Sequence, residues 1–118
     1  MKNQNDKIGN IYYLRKTEDR SKPFAAIAIA KEKINGRWVF SRGISICSDV
    51  DQFQKSKARS IAYSRLKAAM TKKESFLPIK PDHHLVCNRL VGLYPFKCHY
   101  DFNPTEGEHR MLFKPGEE

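Results

Sequence analysis

The segment Phe24–Ala30, FAAIAIA, decides the fold of this 118-residue chain. In an extended conformation, Phe24 and the even-numbered alanines fall on one face, and Ala25 and the two isoleucines fall on the other. Both faces are therefore apolar, which is typical of a strand inside a sheet that is covered on at least one side. The sequence predicts a central β-strand here.

Strands are also predicted on either side of this segment. Ile8–Leu14 is rich in β-branched and aromatic residues, and Arg37–Cys47 is the third run of this kind. The Asn35-Gly36 dipeptide before the third strand favours a hairpin, because both turn positions need a positive φ. Gly43 within that strand indicates a bulge or a close approach of another backbone.

A long basic helix is predicted next, from about Val50 to Lys72, with Ser48 or Asp49 as its N-cap. One of its faces repeats apolar residues at spacings of three and four, which is typical of a helix that packs on a core. That face consists of Ala58, Ile61, Ala62, Leu66 and Ala69. The opposite face consists of Ser56, Ser60, Ser64 and Lys67.

Short strands are predicted in the remainder of the chain. Pro78 and Pro81 interrupt the pattern, so residues 74–82 are interpreted as a linker. The later segments are interpreted as three strands, the first with a short helix as its alternative, and a turn before the last strand. They are His84–Leu93, Phe96–Phe102, the turn Asn103–Glu108, and Arg110–Phe113.

These elements predict a single α+β domain over residues 1–118: a three-stranded antiparallel sheet, one long basic helix, then two or three short C-terminal strands. Residues 1–7 and 114–118 are expected to be disordered. The longest uncharged apolar run has seven residues, whereas a membrane helix needs about 20. With no secretory signal visible and three irregularly spaced cysteines, we expect a cytoplasmic protein with reduced thiols.

Charge is the most informative property of the chain. It carries 22 Lys and Arg against 13 Asp and Glu, a net charge of +9. Residues 51–80 hold eight basic and two acidic residues, whereas residues 81–118 hold four and six. A small domain this basic is a candidate for a polyanionic partner, since lysine and arginine neutralise phosphates. The predicted nucleic-acid contacts are Lys55, Lys57, Arg59, Lys67 and Lys72 on the helix, with Arg37 and Arg42 of the hairpin as secondary candidates.

Two resemblances bear on this interpretation. KPFAAIAIAKEKINGRWVFSRG and KSKARSIAYSRLKAAM, within residues 22–70, resemble the strands and the basic helix in the C-terminal half of double-stranded-RNA-binding domains. That family places a lysine cluster at the helix start against phosphates, and the comparable run here is Lys55–Arg59; the resemblance implies duplex RNA, read by its shape. The segment RGISICSDVDQFQKSKARSIAYSRLKAA resembles small phage-encoded proteins of unknown function, which implies a phage origin but no activity.

Cysteines and histidines near the C-terminus offer a metal-binding interpretation. His84-x-x-Cys87 with Cys98 or His99 provides enough donors for tetrahedral zinc, but the spacing matches no standard zinc knuckle. His83 and His109 lie in the same region. Buried thiols and exposed histidines are the simpler interpretation, so we predict no metal and no cofactor.

Catalysis is the weakest interpretation. Histidines and carboxylates cluster between His99 and His109, but they form no recognised metal-nuclease pattern. Cys47 at the predicted helix start is a candidate nucleophile, although a buried strand-end cysteine is simpler. The sequence contains no glycine-rich phosphate loop, nucleophile elbow or dinucleotide fingerprint. We therefore predict a non-enzymatic protein.

The sequence favours a nucleic-acid-binding protein of phage origin that contacts phosphates through its basic helix. The alternative is a phage-encoded inhibitor that binds a host protein, such as a defence nuclease or a polymerase. Salt separates the two, because phosphate contacts weaken steeply with salt and a packed protein interface weakens less. A dimer through the exposed edge of the sheet stays open.

Overall fold

The computed structural model describes residues 9–15, 23–46, 53–76 and 97–113. The elements in chain order are β1 (Asn10–Arg15), β2 (Pro23–Ile34), β3 (Arg37–Ile46), α1 (Lys55–Lys72), β4 (Cys98–Tyr100) and α2 (Glu106–Leu112). The strands form one antiparallel sheet in the order β1-β2-β3-β4. The predicted α+β class, the first three strands and the long helix are confirmed.

The β2–β3 hairpin forms the centre of the sheet. Its strands pair along their length without a register shift. Asn35 and Gly36 connect them with φ values of 52° and 79°, as a turn with two positive φ angles requires. The hairpin predicted from this dipeptide is confirmed.

The alternation in Phe24–Ala30 assigns the two sides of the sheet to two different helices. The alanines at even positions of β2 pack against α1, and this core consists of Ala26, Ala28, Ala30, Ala58, Ala62, Tyr63 and Leu66. Ile27 and Ile29 belong to the other side, where they pack with Ile44 against the end of α2 and Phe113. The sheet is therefore the middle layer between α1 and α2.

Gly43 sets how closely α1 approaches the sheet. A Cβ atom at this position would lie 2.2 Å from the carbonyl oxygen of Ala62 and 2.2 Å from the amide nitrogen of Leu66. The helix backbone therefore packs directly on β3, and the predicted close approach is confirmed. The alternative of a bulge is wrong, because Gly43 pairs with Ala28 in the regular register.

The C-terminal part differs from the prediction. Cys98–Tyr100 forms a strand, but it joins β3 as the fourth strand of the same sheet. Arg110–Phe113 is not a strand, because it forms the end of α2 and its C-cap. The predicted turn Asn103–Glu108 contains the start of α2, where Thr105 is the N-cap.

One further prediction is shifted along the chain, and several others lie outside the described residues. Helix α1 begins at Lys55, later than predicted. Its N-cap residue is Gln54, whose side chain makes no capping hydrogen bond. The candidate caps, most of the linker, one predicted strand and both ends expected to be disordered lie outside the described residues. They are Ser48, Asp49, residues 77–82, His84–Leu93, residues 1–7 and residues 114–118.

We expect Gly43→Ala to lower the free energy of unfolding by about 2–3 kcal/mol, because the new methyl group overlaps helix backbone atoms. Gly107→Ala is the matched control, since no atom lies within 4 Å of its Cβ position. It should leave stability unchanged or slightly raised, because alanine favours a helix over glycine. Urea unfolding followed by circular dichroism measures both, and equal stability of the two variants would contradict the close packing.

Candidate nucleic-acid interface

Helix α1 exposes five of its six cations, and the sixth, Arg65, donates a 2.8 Å hydrogen bond to the Ile44 carbonyl oxygen on β3. It contains six basic residues and no acidic residue. Its buried residues are Ala58, Ala62, Tyr63, Leu66 and Ala69, the side that packs on the sheet. The five cations predicted to contact nucleic acid are all exposed: Lys55, Lys57, Arg59, Lys67 and Lys72. The structure thus brings the five together on one exposed helix.

Short hydroxyl side chains form the outermost line of this helix. Successive residues are separated by about 100° around the axis, which places Ser60, Ser64 and Thr71 opposite the buried side, and all three are exposed. Lys57 and Lys67 lie about 40° to either side of this line. We call these three hydroxyl residues the crest. The crest and the five cations together are the α1 face.

The two cations at the ends of α1 each contact an aromatic ring outside the helix. Lys55 Nζ lies 4.6 Å from the ring centroid of Tyr13 in β1. Lys72 Nζ lies 4.8 Å from the ring centroid of Phe76, which forms a bridge with Cys98 of β4. Such cation–π contacts contribute about 0.5–1 kcal/mol at exposed sites and orient the cation without neutralising it.

No acidic side chain pairs with the five cations of the α1 face within the described parts of the chain. The ion pairs there join other arginines to Asp and Glu: Arg37 with Asp101, Arg42 with Glu108, and Arg110 with Glu106. Glu106 and Glu108 belong to α2, on the other side of the sheet. Both glutamates of α2 are therefore paired with arginines other than those of the α1 face.

An open groove adjoins the α1 face on its β1 side. Its volume is about 490 Å³. Its lining comprises the start of β1, two residues of α1 and one of α2: Gly9, Asn10, Ile11, Arg59, Tyr63 and Met111. The Arg59 guanidinium lies 5.9 Å from the ring centroid of Tyr63. Arg59 is therefore shared between the groove and the α1 face.

Arg37 lies at the hairpin and is matched by a carboxylate. Its guanidinium donates two hydrogen bonds of 3.0 Å to the two oxygens of Asp101. The bond from Arg37 lowers the pKa of Asp101 below its ordinary value. Arg37 is therefore paired with Asp101 at the hairpin and is not part of the α1 face.

The prediction that Arg42 contacts nucleic acid is wrong, because its side chain is only 4% exposed. It donates from Nη2 and Nε to the two carboxylate oxygens of Glu108, at 2.6 and 2.9 Å. The Phe102 ring lies against the guanidinium, 4.1 Å from its centroid to Cζ. A phosphate has no access to this guanidinium.

Glu108 holds α2 on the sheet through Arg42 of β3 and Tyr12 of β1, and it also caps its own helix. Its carboxylate accepts from Arg42, from the Tyr12 hydroxyl at 2.8 Å and from the Thr105 amide at 2.9 Å. The Thr105 hydroxyl accepts from the Glu108 amide, which completes a capping box. Burial acts to raise the pKa of Glu108, but the bonds from Arg42, Thr105 and Tyr12 outweigh it, so the pKa is lowered. The pattern Thr105-x-x-Glu108 is a capping-box signal that the sequence interpretation missed.

Cys98 and His99 are adjacent in β4 and therefore project to opposite faces of the sheet. Burial raises the pKa of Cys98 to about 11, and burial together with the charge of Arg42 lowers the pKa of His99 to about 4. No group of three metal-binding side chains occurs within residues 9–15, 23–46, 53–76 and 97–113. The other proposed donors and the candidate nucleophile lie outside these ranges: His83, His84, Cys87 and Cys47.

Comparisons with protein-family models, curated proteins and solved structures found no match to this chain. Among the described helices, none combines the length and apolar character needed to cross a membrane.

We expect Glu108→Gln to lower the free energy of unfolding by about 3–5 kcal/mol, because it leaves the Arg42 guanidinium buried without its counter-charge. Glu106→Gln, in the same helix, removes an exposed pair with Arg110 and should cost less than about 1 kcal/mol. Urea unfolding of both variants at pH 7 measures the difference. Similar losses for the two would show that the buried pair does not hold α2.

Acid should remove the contribution of Glu108. Its pKa is lowered in the folded state, so its stabilisation is present above the ordinary value near 4.5 and is lost as pH falls through the folded pKa. The difference in melting temperature between the wild type and Glu108→Gln should therefore shrink from pH 7 to about pH 3. A constant difference would contradict an ionised Glu108 in the folded protein.

Proposed function

We propose that this protein binds duplex nucleic acid through the α1 face, without strong sequence preference. The observation that carries the proposal is an 18-residue helix with five exposed cations that have no acidic partner in the described parts of the chain. Lysine and arginine neutralise phosphates and release counterions, which supplies affinity that is independent of sequence. The resemblance of residues 22–70 to double-stranded-RNA-binding domains supports the same helix as the contact element.

The length of the cationic track favours a ligand with many regularly spaced charges. Lys55 and Lys72 are 17 residues apart, which corresponds to about 25 Å along the helix axis. A DNA duplex carries one phosphate per about 1.7 Å of its axis, so it offers a partner to each cation along this length. A small phosphate ligand would reach only one end of the track.

The crest favours contact that does not read sequence. Ser60, Ser64 and Thr71 are short hydroxyl residues that let a nucleic acid approach closely, and a hydroxyl can hydrogen-bond to phosphate oxygens or to any base. None of them is Arg, Asn or Gln, the side chains that distinguish bases by paired hydrogen bonds. The crest therefore adds contact without strong preference for a base.

We expect Lys57→Glu with Lys67→Glu to weaken binding to a duplex of about 20 base pairs at least about tenfold. The slope of log Kd against log salt should fall by about 2, because each phosphate contact contributes about 0.9. Fluorescence anisotropy of a labelled duplex at several salt concentrations measures both quantities.

Lys33→Glu with Arg110→Glu is the matched control. It makes the same change in net charge at two exposed positions, one beside Trp38 and one in α2, away from α1. It should keep the wild-type affinity within about threefold, since only long-range repulsion changes. Equal losses for the two variants would refute the α1 face as the site. If the wild type binds no nucleic acid at low salt, inhibition of a host protein becomes the function to test.

A further inference from the structure

We infer that the duplex is B-form DNA and that α1 lies lengthwise in its major groove. The inference rests on the proposed function and adds the class of ligand and its placement. Three features of the described residues carry it: the short crest of α1, the cations on both sides of that crest, and the lack of an aromatic side chain on the α1 face.

The exposed side of α1 has the dimensions of a helix that enters the major groove. This groove is about 12 Å wide and 8.5 Å deep in B-DNA and admits an α-helix. A helix with its side chains is about 10–12 Å across, so long side chains at its outermost line would obstruct entry. Ser60, Ser64 and Thr71 keep that line short.

The cations lie where two phosphate strands would border the helix. Lys57 lies to one side of the crest and Lys67 to the other, each by about 40°. Arg59 lies about 120° from the crest, at the β1 edge, where it lines the groove with Ile11 and does not border the crest. Lys72 lies on the opposite side, next to Phe76. Contact with one strand alone would require cations on one side only.

The same arrangement disfavours duplex RNA. The major groove of A-form RNA is deep and too narrow for protein elements to read. The resemblance to double-stranded-RNA-binding domains implies RNA contacts at the start of the helix. In this protein Lys67 and Lys72 extend the cationic surface to the other end of α1, which favours contact along its whole length.

Single strands are disfavoured because they bind proteins largely by stacking on exposed aromatic rings. At the two ends of the α1 face, the half-buried rings of Tyr13 and Phe76 already hold Lys55 and Lys72 against them, and Tyr63, in the same helix, is only 5% exposed. Trp38 packs edge-on against Phe113 in the core on the other side of the sheet, with ring centroids 5.3 Å apart. The α1 face therefore has charge for a backbone but no platform for an unpaired base.

The test compares three ligands of one sequence with the full chain at one salt concentration: duplex DNA, duplex RNA and single-stranded DNA. We expect duplex DNA to bind at least about tenfold more tightly than the other two, since only its major groove admits the helix. Methyl green, which occupies the major groove, should displace the protein. Netropsin, which occupies the minor groove, should not.

A neutral substitution tests the crest. Ser64→Trp adds bulk without changing charge and should weaken binding to duplex DNA about tenfold or more, while leaving the salt slope unchanged. Asn103→Trp is the control, because Asn103 is also exposed and lies before α2 rather than on α1. Circular dichroism establishes that both variants keep the fold.

The outcomes distinguish this inference from the proposed function. Equal or tighter binding to duplex RNA or to single-stranded DNA, displacement by netropsin alone, or full affinity of Ser64→Trp would overturn the placement in the major groove. Nucleic-acid binding through the α1 face would survive each of these results, except that tighter binding to single-stranded DNA would also overturn the duplex as the proposed ligand. Failure of all three ligands to bind would overturn the proposed function itself.

Discussion

The missing side chain at Gly43 lets the backbone of α1 lie directly on β3, and the rest of the arrangement depends on this contact. The alanines of β2 and of α1 extend the close contact on either side of it. Small residues bring the helix near the sheet, and half of its 18 residues are buried or half-buried there. The exposed half includes the crest and the five cations.

The other side of the sheet is covered by α2, a much shorter helix. Helix α2 has seven residues, too few for a stable helix on its own, since isolated helices shorter than about 12–15 residues are marginal in water. Glu108 stabilises this short helix, because it completes the capping box and pairs with Arg42, which is buried on the sheet. The same pairing keeps this acidic residue of α2 away from α1.

The parts of the fold that sequence could predict depend on local patterns. Alternation in Phe24–Ala30 identified β2 and its two apolar faces, and Asn35-Gly36 identified the hairpin. The spacing of alanines identified the packed side of α1, and hence the exposed cations. Helix α2 was missed although Thr105-x-x-Glu108 gives a local signal, because Gly107 and the short length obscured it.

Arg42 shows why the site was only partly predictable. On β3 it shares a face with Phe40 and Ile44, and this alternation indicates an inward position. Its charge suggested a surface contact because nothing near it in sequence supplies a partner. The partner, Glu108, is 66 residues away and reaches it only after α2 has packed on the sheet. Long-range pairs of this kind leave no local pattern.

The most direct test of the account is an NMR titration of the ¹⁵N-labelled protein with a short DNA duplex. The account predicts that amide shifts change along α1, at Ser60, Ser64 and Lys67 above all, while those of α2 stay in place. Shifts centred on α2, or on the Trp38 side of the sheet, would contradict it. The result identifies the contact surface without relying on any substitution.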